Sequence, residues 1–188
     1  MRLFVAVDLS EEARQAMAAE QKRIASALGV RQTSLKWVRQ EHMHLTLVFL
    51  GSVDEPRART VVDVIGRDVD AAPFDMVFDG VGAFPPHGEP RVLWTGVTQG
   101  AADLVALHRE LGQRVAALGI ALEDRSFHPH LTLGRWRESR RRDRERALAA
   151  GGHDPIARVR VQRATLYESR LSPSGPTYTA LAHANLTR

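Results

Sequence analysis

Phe127-His128-Pro129-His130-Leu131-Thr132-Leu133-Gly134-Arg135 is anticipated earlier in the chain by Glu41-His42-Met43-His44-Leu45-Thr46-Leu47-Val48-Phe49-Leu50-Gly51. Both stretches contain His-x-His-Leu-Thr-Leu, and the two copies lie 86 residues apart (130 − 44). A six-residue pattern that recurs with five positions identical in a chain of 188 residues points to a duplication that builds one site from two halves. Leu, Thr, Val and Phe favour extended backbone, in which residues two apart share a face. His44 and Thr46 therefore look one way and Leu45 and Leu47 the other, with His130 and Thr132 set likewise against Leu131 and Leu133. One such strand alone reads as a solvated surface. A second copy with the same residue types in the same order does not.

Around these strands the remaining segments fall into place. Residues 2–8 alternate as a first strand, and Ser10 with Glu11 and Glu12 opens a helix that runs to about Leu28 and is closed by Gly29. Lys36-Trp37-Val38 is a short extended piece before the first motif strand, residues 43–50. Asp54-Glu55-Pro56 starts a second helix reaching roughly Val69. Residues 74–82 and 91–97 form a pair of strands joined by the Pro- and Gly-rich loop Phe84 to Pro90. A third helix spans about Ala101 to Leu118, with Leu104, Leu107, Leu111, Val115 and Leu118 at helical spacing and Gly119 as its stop. Ile120 to Leu122 extends briefly before the second motif. Residues 138–149 form a fourth helix, and strands at about 156–168 and 176–184 turn through Ser172-Pro173-Ser174-Gly175. The expected fold class is α+β: two similar halves in one bilobal domain over residues 1–188, each with two outward helices and a mostly antiparallel sheet, the polar faces of the sheets opposed across a central cleft.

Composition sets the broad class. A hydrophobic fraction of 44% and a charged fraction of 26% are those of an ordinary globular protein, and the length allows a substantial core. No run reaches membrane-spanning length, and Asp8 interrupts the apolar start too early for a secretory signal, so a cytoplasmic protein without a membrane partner is expected. Zero cysteines exclude disulfides and thiolate metal sites. The net charge of +4 is built from 24 Arg against 2 Lys. That balance is compatible with a polyanionic partner, because the guanidinium fork matches phosphate, but it is first of all what an Arg-rich genomic codon usage would give.

Two imidazoles on opposite walls of a cleft suit in-line displacement at phosphorus. A neutral one takes a proton from the attacking water or hydroxyl, and a protonated one gives a proton to the leaving oxygen. Imidazole does either near neutral pH, its unperturbed pKa being about 6.5. The hydroxyls of Thr46 and Thr132, on the histidine faces, can donate to the non-bridging oxygens. With acid and base both supplied by side chains, this chemistry needs no metal and no cofactor.

These residues carry a resemblance. The chain resembles the 2H phosphoesterase superfamily, and within it the RNA 2',3'-cyclic phosphodiesterases, also called 2'-5' RNA ligase-like proteins. The resemblance rests on Arg2-Leu3-Phe4-Val5-Ala6, Trp37-Val38, the two His motifs with Phe49-Leu50-Gly51 and Gly134-Arg135, Arg91-Val92-Leu93-Trp94, and Leu166-Tyr167-Glu168-Ser169 with Gly175 and Tyr178. It implies a bilobal LigT-like fold that opens a terminal 2',3'-cyclic phosphate on RNA, tRNA fragments included, to a 2'-phosphate, with 2'-5' ligation as a related reverse reaction. It implies His44 and His130 as the catalytic pair, with Thr46 and Thr132 as their substrate-binding partners. By analogy His44 is the acid toward the 3'-oxygen and His130 the base toward water, an orientation that sequence leaves reversible. It also implies Arg135 as a phosphate ligand. Strict alternation from His130 turns Arg135 away, unless a bulge at Gly134 swings it back. Alternatives of other classes are an RNA-binding protein without turnover and a 2H enzyme acting on small cyclic or 2'-5' linked nucleotides. A monomer is expected.

His42 and His128 each precede a motif histidine by two, so four histidines could share a face as zinc ligands do. Pro129 and the lack of a matching carboxylate in the second motif weigh against that, leaving these two to orient or line the groove. Phe4, Trp37, Phe49, Phe84, Trp94 and Tyr167 are candidates either for base stacking or for core packing. Residues 137–146 hold six arginines and three acids, a salt-laced helix surface that also stands within reach of an RNA backbone.

Overall fold

The computed structural model describes residues 1–29, 34–122, 126–152, 154–173 and 175–188. Strand β1 (Arg2–Asp8) is followed by α1 (Glu11–Leu28), the short β2 (Leu35–Trp37), β3 (His44–Ser52) and α2 (Glu55–Ile65). Then come β4 (Phe74–Phe84), β5 (Val92–Gln99), α3 (Ala101–Ala116), β6 (His130–Trp136), α4 (Arg141–Ala150), β7 (Ala157–Val161), β8 (Arg163–Ser172) and β9 (Gly175–Asn185). Helix starts follow from local chemistry. The Ser10 hydroxyl accepts from the Ala13 amide and Asp54 accepts from that of Arg57, each filling one of the donors left over in a first helical turn. Gly29, at φ 78°, ends α1 in a conformation that side chains disfavour.

Two antiparallel sheets result, one in the order β3-β1-β8-β9 and the other β2-β6-β5-β4-β7. The motif strands take matching places, β3 beside β1 and β6 beside β5. The sheets are not contiguous halves of the chain. The first joins the N-terminal strands to the last two, and β2, from the first half, pairs with the motif strand of the second. Leu3, Val5, Leu45, Leu93, Leu131, Leu133 and Leu166 are buried in a core shared with Met17, Ile24, Leu104, Leu111 and Val115 of the helices.

Several expectations need correction. The strand expected over 156–168 is two strands in different sheets, because the inward phase of Val159 and Val161 slips at Gln162 before resuming at Ala164 and Leu166. Ile120–Leu122 forms no strand. The second helix ends at Ile65, and Val69 instead bridges to Leu186. The fourth begins at Arg141, where the Asp143 carboxylate accepts from the Arg140 amide. Ser174 of the expected last turn lies outside the described residues. Among them, no helix is long and apolar enough to cross a membrane.

Candidate active site

Each motif histidine is held by the carbonyl two residues before it. His44 Nδ1 lies 2.8 Å from the His42 oxygen, and His130 Nδ1 lies 2.7 Å from the His128 oxygen. A carbonyl only accepts, so Nδ1 carries a hydrogen in both rings and the lone pair of the neutral form is on Nε2. The duplication thus extends to the tautomer: each ring presents Nε2 as a base when neutral and as an acid when protonated. What orients the rings is the backbone of His42 and His128, not their side chains. His42 ends a short 3₁₀ turn, so the four histidines do not share a strand face. Its ring meets Tyr178 edge-on. Among the described residues no three His, Asp or Glu side chains converge as a metal site.

The surroundings of the two rings differ. His44 stacks on Phe4 at 4.8 Å and meets the edge of Tyr178 at 5.2 Å. Burial pushes its pKa down to about 4, against the opposing pull of the His42 carbonyl and the Asp8 carboxylate. His130 meets Phe84 and Trp94 edge-on at 5.2 and 6.0 Å. Burial lowers its pKa too, the His128 carbonyl resists, and the Arg135 guanidinium adds to the lowering. Asp8 is itself fixed, accepting from the Tyr167 hydroxyl at 2.6 Å and the Thr165 hydroxyl at 2.7 Å.

Thr46, His130, Thr132 and Arg135 all line one cavity of about 970 Å³. His44 is not among its lining residues and lies on the Thr46 face of β3, two positions away. Arg135 reaches the cavity because β6 bulges. Thr132 pairs with Trp94 and Gly134 with Leu93, which leaves Leu133 without a place in the register and turns Arg135 to the side of Thr132. The extra residue is Leu133, one before the expected Gly134. The glycine answers a packing need instead, since a Cβ there would come within 3.0 Å of Leu35 and 3.2 Å of the Lys36 carbonyl, and its absence admits the close approach of β2. The same bulge occurs in β3, where Leu47 drops out between Thr46 and Val48 and brings Phe49 to the cavity. Among the described residues Arg135 has no ion-pair partner and the two threonine hydroxyls no hydrogen-bond partner.

Of the six aromatic candidates, Phe49 and Phe84 line the cavity. Phe4 and Trp94 pack against the motif histidines, Tyr167 stacks on Phe4, and Trp37 packs on the core. Sequence reasoning gave no role in the site to Asp8, Gln21, His108 or Phe127. Gln21 had a signal, a polar residue inside the apolar stripe of α1, and so had His108 in α3.

A family model of the 2'-5' RNA ligase superfamily matches residues 4–172. The chain is 35% identical over 182 residues to a Thermotoga maritima protein named RNA 2',3'-cyclic phosphodiesterase, covering 96% of this chain and 93% of that one. It is 34% identical over 180 residues to an Archaeoglobus fulgidus protein of the same name, covering 95% and 96%. Among solved structures, E. coli LigT complexed with 3'-AMP superposes with a TM-score of 0.78 at 28% identity, covering 100% of this chain and 98% of that one. TT0787 of Thermus thermophilus superposes with a TM-score of 0.74 at 32% identity, covering 99% and 98%.

Proposed function

The chain belongs to the 2'-5' RNA ligase superfamily, and we propose from this that it is a cytoplasmic, monomeric RNA 2',3'-cyclic phosphodiesterase whose two lobes act as one domain. The observation that carries the reading is the repeated bond from Nδ1 to a backbone carbonyl, which leaves a free Nε2 on each of two histidines at duplicated positions. His130 Nε2 takes a proton from water, whose oxygen attacks phosphorus in line with the bond to the 3'-oxygen. That bond breaks, and protonated His44 gives its Nε2 proton to the 3'-oxygen, leaving a 2'-phosphate and a 3'-hydroxyl. Thr46 and Thr132 donate to the non-bridging oxygens, and Arg135 pairs with the phosphate charge.

Local charge supports this orientation of acid and base. Asp8 favours a proton on His44, with Arg14 opposing it more weakly, whereas the charge beside His130 is Arg135, which disfavours a proton there. In the ligand-free protein burial holds His44 neutral at pH 7; an anionic phosphate beside it favours the protonated ring, so binding and protonation are coupled. The cavity is at the upper end of the roughly 300–1,000 Å³ common for ligand sites, room for the end of an RNA strand. With a 5'-hydroxyl in place of water, the same proton transfers join it to a 2',3'-cyclic end as a 2'-5' bond. The relatives named RNA 2',3'-cyclic phosphodiesterase favour water as the attacking group.

The test is to incubate the protein, with chelator present, with a short RNA ending in a 2',3'-cyclic phosphate. A 2'-phosphate product is expected. Tight RNA binding without product would leave a binding protein, and turnover of small cyclic or 2'-5' linked nucleotides in place of RNA would reassign the substrate.

A further inference from the structure

The carbonyls of the bulge residues Leu47 and Leu133 are each met by a side chain from a helix in the other half of the chain, the Leu133 oxygen also accepting from the Val38 amide at 2.9 Å. Gln21 Nε2, on α1, donates to the Leu133 carbonyl at 2.8 Å and to the Val38 carbonyl at 2.8 Å. His108 Nδ1, on α3, lies 2.7 Å from the Leu47 carbonyl, and since that oxygen only accepts, the ring nitrogen donates. The two donors hold matching places. Met17, Gln21, Ile24 and Leu28 in α1 have the same spacing as Leu104, His108, Leu111 and Val115 in α3, every member 87 positions from its counterpart (108 − 21). The six apolar members are all buried. The donors therefore hold corresponding places on the two helices, offset by 87 residues against 86 for the His-x-Thr strands, although one is an amide and the other an imidazole.

Each contact falls on the residue directly after a motif threonine, at the point where the bulge decides how the rest of the strand faces. The Leu47 bulge presents Phe49 to the cavity and the Leu133 bulge presents Arg135. His108 does more than its counterpart. Its ring stacks on Phe127 at 4.3 Å with an interplanar angle of 10°, and Phe127 adjoins His128, whose carbonyl holds the ring of His130. One imidazole thus bonds to the first motif strand and backs the approach to the second.

We propose that Gln21 and His108 are equivalent positioning residues, a crossed pair in which the helix of each half sets the motif strand of the other. Neither transfers a proton to substrate. Both act through the Leu47 and Leu133 carbonyls on Thr46, Thr132 and Arg135. This rests on the functional reading above, which makes those side chains the phosphate machinery.

The experiment compares His108→Phe, which keeps a ring over Phe127 and removes the donor, with His108→Asn, whose amide nitrogen stands where Nδ1 stood. Gln21→Met removes the other donor at equal length. On RNA with a 2',3'-cyclic end, His108→Phe and Gln21→Met are expected to lose about tenfold in kcat with KM within about twofold, as for geometry needed in the transition state. His108→Asn is expected to stay within about threefold of the unaltered protein. A purely structural role would instead lower the melting temperature of His108→Phe and Gln21→Met and leave kcat per folded molecule unchanged, which would overturn the proposal. Histidine nitrogen NMR of the unaltered protein separates the two readings. If RNA is not turned over, the functional reading fails, while a proton found on Nε2 of His108 in place of Nδ1 overturns the crossed pair whatever the activity.

Discussion

Asp8 stands directly opposite His44 in the antiparallel pairing of β1 with β3. Its carboxylate, held by Tyr167 and Thr165, favours the protonated imidazole against the burial that disfavours it. Asp8→Asn keeps the shape and removes that charge, so the proton on His44 is held less firmly. The expected result is a several-fold loss of turnover at neutral pH and a shift of the pH optimum to lower values, read from the pH profile of kcat/KM.

Protonation of His44 also couples to ligand binding. A phosphate group bound beside the ring raises its pKa from about 4, so the complex takes up a proton and affinity for a 2'-phosphorylated nucleotide increases as pH falls from about 7 to about 5. Calorimetry in buffers of different ionisation enthalpy measures that uptake. His44→Gln is expected to abolish it.

In the ligand-free protein the same shift has a stability consequence of opposite sense. The folded pKa of His44 lies below that of the unfolded chain, so between about pH 6.5 and 4 the unfolded state binds more protons. Stability from this group is complete above about pH 6.5 and is lost as pH falls, by roughly 2 kcal/mol between about pH 7.5 and 5. Urea unfolding at the two pH values is expected to show a difference smaller by about that amount in His44→Gln.

Arg135 faces the cavity without an ion-pair partner among the described residues. Arg135→Met is expected to lower kcat/KM by about 10- to 100-fold, with Lys restoring only part because it lacks the planar fork. Thr46→Val and Thr132→Val are expected to have milder effects, on the order of tenfold, read in kcat.

Arg140, Arg141 and Arg142 are exposed at the start of α4. Replacing all three by Gln is expected to weaken binding of a long RNA and to reduce the slope of log affinity against log salt by up to about 2. Turnover of a dinucleotide with a cyclic phosphate is expected to stay the same, since none of the three arginines lines the cavity.

The His-x-Thr strands were legible because a duplication and a period of two are properties of neighbours in the chain. The ends of α1, at Ser10 and Gly29, were legible for the same reason. Arg135 was half legible: alternation pointed it away from the cavity, and only the bulge beside Gly134 returned it. Sheet membership was not legible, since β2 pairs with β6 and β8 with β1 through contacts between segments distant in sequence. Gln21 and His108 fall in the same class, for a polar residue in an apolar stripe signals a buried partner without saying which one. Asp8 owes its place beside His44 to the pairing of β1 with β3, and Tyr178 owes its own to the pairing of β9 with β8 and β8 with β1, across the length of the chain.

The central claim is that His44 and His130 serve one reaction as a pair. Its most direct test is the single-turnover rate on RNA with a 2',3'-cyclic end for His44→Ala, His130→Ala and the double variant, each verified as folded. If the two act together, each single change costs on the order of 100-fold or more and the double variant loses little beyond either one. A wild-type rate in either single variant, or fully multiplicative losses in the double, would contradict it.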